Sequence, residues 1–491
     1  MAAGALRRAG VRALACALLL AVAAPAGARP HPGYRVPIDN PFVATPGAAP
    51  EVYVRGMRNP YRWTFDVPTG DMYVADVGGN QREEITRLAP HQIAGANLGW
   101  HCREGTFVQK PCKPTNYFPP TFEYPSSPDV VIGGHVVHAP GLPSFAGRYL
   151  FGRYLSGLWA LGPRAAGPAQ PLMPLGGVTS VGEDAAGNLF ATSYDGPVYR
   201  LGEQAGTLTL TALGMFNRPV DVVSPPGDAS RLFIVEKRGT VLLLRDGEVT
   251  TFLDIRKRVR DGGYEEGLLG FITALDYASS GRVFAFYSDN GGDIQVDEYR
   301  RTSRDPDRAD PRTRKPLLSI QHDQGSHHHG GQMNFGADGY LYLSTGDGDL
   351  KVDPQNDAQR LDSLLGKILR IDVREQRPDR VAPRLRVSAA RSQRLLSTKA
   401  ALAQVTCSER CFLAGEGRVR VAGRVLPLNA AGAAPRAGRS VRLRMTAGPR
   451  CRRMLGGALR RGQSASAQLT VRARDPSGNV RSVRLAVFVR R

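Results

Sequence analysis

The chain has 491 residues, 42% hydrophobic and 22% charged, too apolar to be wholly disordered and too long for a small stapled scaffold. Its 56 Gly and 36 Pro favour many turns over long helices, so an all-β architecture is expected. The formal charge of +21 belongs to the C-terminal part: residues 376–491 hold 26 Lys and Arg against 4 Asp and Glu, whereas residues 1–375 sum to −1, and the large N-terminal part has no reason to seek nucleic acid.

Residues 1–28 combine basic Arg7 and Arg8, an apolar run over 13–24 and the small-x-small site Ala26-Gly27-Ala28. That pattern predicts a secretory signal cleaved after Ala28. The run is too short to span a bilayer, and no later stretch is long enough, so an exported protein without an integral membrane segment is expected. Five cysteines remain after cleavage. In an oxidising compartment Cys102 and Cys112 are expected to pair; Cys407 with Cys411 is the favoured second pair, with Cys451 an alternative partner for either.

One pattern then recurs: a turn, alternating apolar and aromatic residues, another turn, and a second strand. It begins at Gly70 (GDMYVADVG), Gly147 (GRYLFGRYLSGLWAL), Gly187 (GNLFATSYDGPVYRL), Ser230 (SRLFIVEKRGTVLLL), Gly281 (GRVFAFYSDNGGDIQVDEY) and Gly339 (GYLYLSTGDG). Six such units at spacings suited to four-stranded blades predict a six-bladed β-propeller over residues 34–375. The Pro- and Arg-rich stretch after Asp372 breaks the pattern, and 376–390 is predicted to be a linker. Beyond it, alternating segments over 391–491 predict a small, basic, Ig-like β-sandwich. Its arginines alternate with Val and Leu, as on a solvated sheet face; contact with an acidic cell-surface polymer is the functional alternative.

The densest polar cluster is QHDQGSHHHGGQMNFGADGYLYLSTGDGD from Gln321. On an extended segment only His327 and His329 share a face, so one or two of the three histidines are expected to turn to a central site. The spacing of a dedicated zinc site is missing. Within this cluster and beyond it the motifs become specific: EEGLLGF from Glu265, HHGGQMNFGADGYLY from His328, GDG at 346–348 and LLGKILRIDV from Leu364. To these the first half adds YRVPIDNPF from Tyr34, VRGMRNPYRWTFD from Val54, VADVGGNQREEI from Val74, NLGW from Asn97 and GRYLFGRYLSG from Gly147. Together they resemble the glucose/sorbosone dehydrogenase family, residues 207–375 its N-terminal half and 34–203 its C-terminal half. The order is that of a circular permutant, which a ring of blades tolerates because its first and last blades are neighbours.

The resemblance implies a secreted six-bladed propeller that uses pyrroloquinoline quinone (PQQ) and calcium to oxidise aldose sugars or related alcohols and aldehydes, passing electrons to an external acceptor. It makes His328 the base that takes the sugar hydroxyl proton, Asp347 its electrostatic support, and Arg58 with Asn59 the pair at the quinone carbonyls, Arg58 stabilising charge there. Glu265 occupies an amide position beside the cofactor. Gly78 and Gly79 match the carbonyls that ligate calcium, with Glu84 in the nearby acidic segment. The chain departs from the pattern at the carboxylate clamp: Leu155 stands where a lysine is expected, and Gly177 and Thr179 lie where two arginines are, with Arg153 a partial replacement. The alternative reading is therefore a non-catalytic carbohydrate- or protein-binding propeller.

Overall fold

The computed structural model describes residues 33–322, 325–348, 352–375, 382–409, 411–433, 435, 437–475 and 479–490. The signal segment and the start of the linker lie outside these residues. Six four-stranded antiparallel blades follow one another along residues 52–371, each with its earliest strand innermost except where the ring closes; four are separate sheets, and the third and fourth are joined into one eight-stranded sheet by a parallel pairing of Glu183 with Val223. The first blade runs Arg62–Asp66, Asp71–Asp76, Arg82–Leu88 and Phe122–Pro125, and the second Val131–Val136, Arg148–Arg153, Gly157–Pro163 and Gln170–Met173. The third comprises Val178–Glu183, Leu189–Ser193, Pro197–Gln204 and Thr207–Met215, and the fourth Pro219–Val223, Leu232–Glu236, Thr240–Arg245 and Glu248–Asp254. Leu268–Thr273, Arg282–Ser288, Ile294–Arg301 and Ala309–Ile320 form the fifth.

The sixth blade is built from both ends of this region. Met333–Phe335, Leu341–Thr345 and Lys367–Ile371 are completed by Val52–Arg55, with Val52 opposite Leu369 and Val54 opposite Ile368. Arg35 and Asp372 exchange backbone hydrogen bonds of 3.0 and 2.7 Å, and their side chains form an ion pair at 2.8 Å. On the inner side Asn334 Nδ2 donates to the Trp63 carbonyl at 2.8 Å, joining the sixth blade to the first. The ring is therefore closed, as an all-β fold with hydrophobic blade faces requires to bury them and avoid open edges. Each of the six sequence units falls on the second strand of a different blade, where both faces are covered by neighbouring blades. That explains their nearly continuous apolar character: Phe284 and Phe286, for example, are fully buried with Leu341, Leu343 and Leu369 between the fifth and sixth blades.

The C-terminal part has its own core, which includes Val405, Leu413, Val419, Leu443, Leu469 and Val471. One sheet contains Leu385–Ser388, Ala400–Cys407 and Ser440–Thr446. The other contains Phe412–Val421, Ala465–Arg474 and Val480–Val489, with Arg424–Ala433 pairing into both. A helix, Pro449–Arg460, packs Cys451, Leu455 and Ala458 onto this core. These positions lie at i, i+4 and i+7 with Pro at the helix start, a signal hidden in the sequence by Gly456-Gly457 and five arginines over 450–461. Cys102 is bonded to Cys112 and Cys407 to Cys411, while Cys451 is a buried thiol. Among the described residues no helix is long and apolar enough to cross a membrane.

Candidate functional site

In an antiparallel blade the start of the innermost strand and the end of the second strand lie at the same mouth of the ring. Arg58 and Asn59 precede the first innermost strand, Glu265 the fifth and His328 to Gly330 the sixth; Asp76 and Asp347 end or follow second strands. The topology alone thus brings these residues to one end of the axis.

Hydrogen bonds then knit them together. The backbone N–H groups of Arg58 and Asn59 donate to the two oxygens of Asp76 at 2.9 and 2.7 Å, and the Asp347 N–H donates to the Arg58 carbonyl at 2.8 Å. His328 Nδ1 lies 2.6 Å from Asp347 Oδ1, while Trp100 Nε1 donates to Asp347 Oδ2 at 2.7 Å. Glu265 Oε2 accepts from Asn59 Nδ2 at 3.0 Å and from the His328 N–H at 2.5 Å, and Asn59 Oδ1 accepts from the Gly330 N–H at 3.1 Å. His328 and Asp347 are 2% and 0% exposed. Burial, reinforced by the Arg58 charge, pushes the His328 imidazole down to about 3. It is therefore neutral at pH 7, its Nδ1–H given to Asp347 and its Nε2 left as an acceptor.

His328 adopts a left-handed backbone, φ 56°, uncommon for a non-glycine residue and of the kind functional sites retain. The three histidines are consequently not extended. His329 stacks on His322 with centroids 3.9 Å apart, instead of sharing a face with His327. The turn is locked from below by Gly346: a Cβ there would stand 2.0 Å from the His328 carbonyl oxygen, which accounts for glycine before Asp347.

A cavity of about 370 Å³ opens at this mouth, and every blade contributes to its wall. Tyr61, Tyr154, Tyr194 and Tyr264 give it aromatic faces, Leu155 and Leu269 aliphatic ones, and Asn59, Thr179, Lys237, Glu265 and His329 its polar groups. The structure thus brings Asn59 and Glu265 into the wall and sets His328 immediately before the lining pair His329 and Gly330. Arg58 is turned away: its Nη1 donates to the Val77 carbonyl at 3.1 Å and its guanidinium faces the Trp100 ring at 5.8 Å.

In the turn expected to hold calcium, carboxylates take up the backbone N–H groups. The Gly78 N–H donates to Glu83 at 3.2 Å, and the N–H groups of Gly79, Asn80, Gln81 and Arg82 all converge on one oxygen of Glu104, at 2.7 to 3.0 Å. Glu84 is buried, accepts from the Gly105 N–H, and is pushed well above the usual carboxylate range by burial and the neighbouring Asp76. Among the described residues no three His, Cys, Asp or Glu side chains form a metal-holding group. Arg153 is likewise engaged, paired with Asp129 at 3.2 Å and lying over the Tyr124 and Trp159 rings at 4.1 and 4.6 Å. Sequence reasoning passed over Asp76, Trp100 and Glu104; the motifs VADVGGN and NLGW contained the first two, but only contacts between distant segments assign them a role.

A family profile described as glucose/sorbosone dehydrogenase matches residues 29–152 and 216–390. The chain is 33% identical over 171 residues to the Hedgehog-interacting protein of Mus musculus, covering 32% of this chain and 24% of that one. It is 33% identical over 134 residues to the aldose sugar dehydrogenase YliI of Escherichia coli (strain K12), covering 26% and 33%. It thus spans about a quarter and a third of these relatives. A solved PQQ-bound aldose sugar dehydrogenase from Streptomyces coelicolor is 26% identical, with 31% of this chain and 43% of that chain covered and a TM-score of 0.27.

Proposed function

Because the chain belongs to the glucose/sorbosone dehydrogenase family, we propose that its axial cavity binds a neutral sugar, outside the cytoplasm, and that His328 takes a proton from a bound hydroxyl. The observation that carries this reading is the tyrosine-walled cavity joined, through Glu265, Asn59 and Gly330, to the buried His328–Asp347 pair. Tyrosine faces suit the C–H surfaces of a sugar ring, and the few polar groups orient its hydroxyls. His328 Nε2 is the proton acceptor for a substrate hydroxyl, and Asp347 offsets the charge of the imidazolium that forms. Such contacts are commonly long until substrate is bound. The N-terminal signal pattern and the two disulfides support export.

PQQ with calcium is the oxidant the family resemblance implies, but the residues present do not fit it. PQQ is a triacid, yet Leu155 and Thr179 line the cavity where cations are expected, and Glu265 adds a carboxylate. Among the described residues the one cation of the wall, Lys237, already donates to the Asp261 and Gly263 carbonyls at 3.1 and 2.8 Å. Glu84 and Glu104 are taken by backbone amides. No step is therefore assigned through the quinone or the metal, and the role derived for this chain is to bind, orient and deprotonate. The same wall favours a second reading, a binding propeller without turnover, and the name of the mouse relative specifies a protein partner.

Titration of PQQ with calcium into the mature protein, followed by a panel of aldoses, separates the readings when paired with calorimetry of the aldoses alone. Saturable quinone binding with reduction, abolished in His328→Ala, is the outcome expected of a dehydrogenase. Aldose binding without quinone binding would establish the binding propeller, and no aldose binding in either format would overturn the sugar assignment.

A further inference from the structure

The arginines of the C-terminal part are not scattered. In the sheet formed by Phe412–Val421, Ala465–Arg474 and Val480–Val489, register places Phe412, Arg474 and Val480 in one row, and Ala414, Arg472 and Ser482 in the next. Glu416, Thr470 and Arg484 follow, then Arg418, Gln468 and Ala486, then Arg420, Ser466 and Phe488. Each of five successive rows on the same outer face therefore carries one arginine. With two residues of rise between rows, the band is about 27 Å long.

All five arginines are exposed, and none forms an ion pair with another described residue. Among the described residues Glu416 is the only acid on the face. Like charges in neighbouring rows repel, and the core beneath, Leu413, Val419, Leu469 and Val471, needs nothing of them. Phe488, 71% exposed, lies at one end of the band, across Ser466 from Arg420. A line of guanidinium forks spaced along an extended track, ending on an exposed ring, complements a linear polymer with carboxylate or sulfate groups and sugar faces.

We propose that this face binds an anionic polysaccharide and that it tethers the near-neutral propeller to it. The complementarity in charge and length carries the assignment, and export, as proposed above, selects a polysaccharide over a nucleic acid.

The test uses the full mature chain on immobilised heparin and polygalacturonate, with duplex DNA as competitor. One variant replaces Arg418, Arg420, Arg472, Arg474 and Arg484 by Gln; a control of equal net charge replaces Arg386, Arg439, Arg442, Arg450 and Arg461, which lie off this face. Retention of wild type and control, with about tenfold or greater weakening of the face variant and a shallower salt dependence, is the expected result. Circular dichroism checks that both variants fold; should the five-site change fail to fold, Arg418→Gln with Arg472→Gln is read in the same way. Equal losses in variant and control would reduce the effect to overall charge and overturn the proposal, as would absence of retention or stronger competition by DNA than by soluble polysaccharide.

Discussion

His328 shows how burial, backbone and charge act on one side chain. Its imidazole titrates near 6.5 in an unfolded chain and is pushed down to about 3 in the fold. Between these values the unfolded chain takes up a proton that the native state refuses, so stability is fully present above about 6.5 and declines as pH falls toward 3. His328→Gln removes that contribution. Its melting temperature is expected to fall less steeply than that of wild type between pH 6.5 and 4, measured by thermal scans in matched buffers; parallel curves would show that the ring is freely solvated. Asp347 and Glu265 lend this residue two acceptors from different blades, one on its ring and one on its backbone. The spacing HHHGG marked the histidine as a candidate, but only the left-handed φ of 56° decides that His328 turns to Asp347 while His329 turns to the cavity.

At the scale of elements, the turn at 328–331 and the loop after Leu341–Thr345 form one unit, because Gly346 lets them touch. A methyl group at that position would meet the His328 carbonyl carbon at 2.5 Å as well as its oxygen at 2.0 Å. Gly346→Ala is accordingly expected to cost about 2 kcal/mol or more and to weaken aldose binding, measured by denaturant titration and calorimetry; a variant as stable as wild type would show that the turn is pliable. The second strands were the most legible elements, because both their faces are buried and their apolar runs stand out between turns. Outer strands such as Thr207–Met215, partly exposed along their length, carry a weaker signal, and the helix Pro449–Arg460 was masked by its glycines and arginines.

For the whole molecule, chain order and spatial order are separable. Val52–Arg55 reaches the sixth blade from the start of the chain and occupies the place beside Lys367–Ile371 that a continuous segment would take, with Arg35 and Asp372 hydrogen-bonded across the junction. A chain beginning near Thr207 and joining Val373 to Tyr34 by a short linker is therefore expected to fold to the same ring, with a circular dichroism spectrum and a melting temperature close to those of the natural order; collapse of that variant would mean that the present order is needed for assembly. The sequence by itself determined the β class, the number of blades, the division of charge between the near-neutral ring and the basic C-terminal part, and the family, since turns, period-two alternation and contiguous motifs are local properties of a chain. Tertiary structure decided which motif residues meet. It placed Asn59 and Glu265 in the cavity wall, turned Arg58 toward Trp100, gave Glu84 and Glu104 to backbone amides and set Leu155 and Thr179 into the wall. Those outcomes depend on contacts between blades distant in sequence, where burial and competition for hydrogen-bond partners, not residue type, assign each side chain its neighbours.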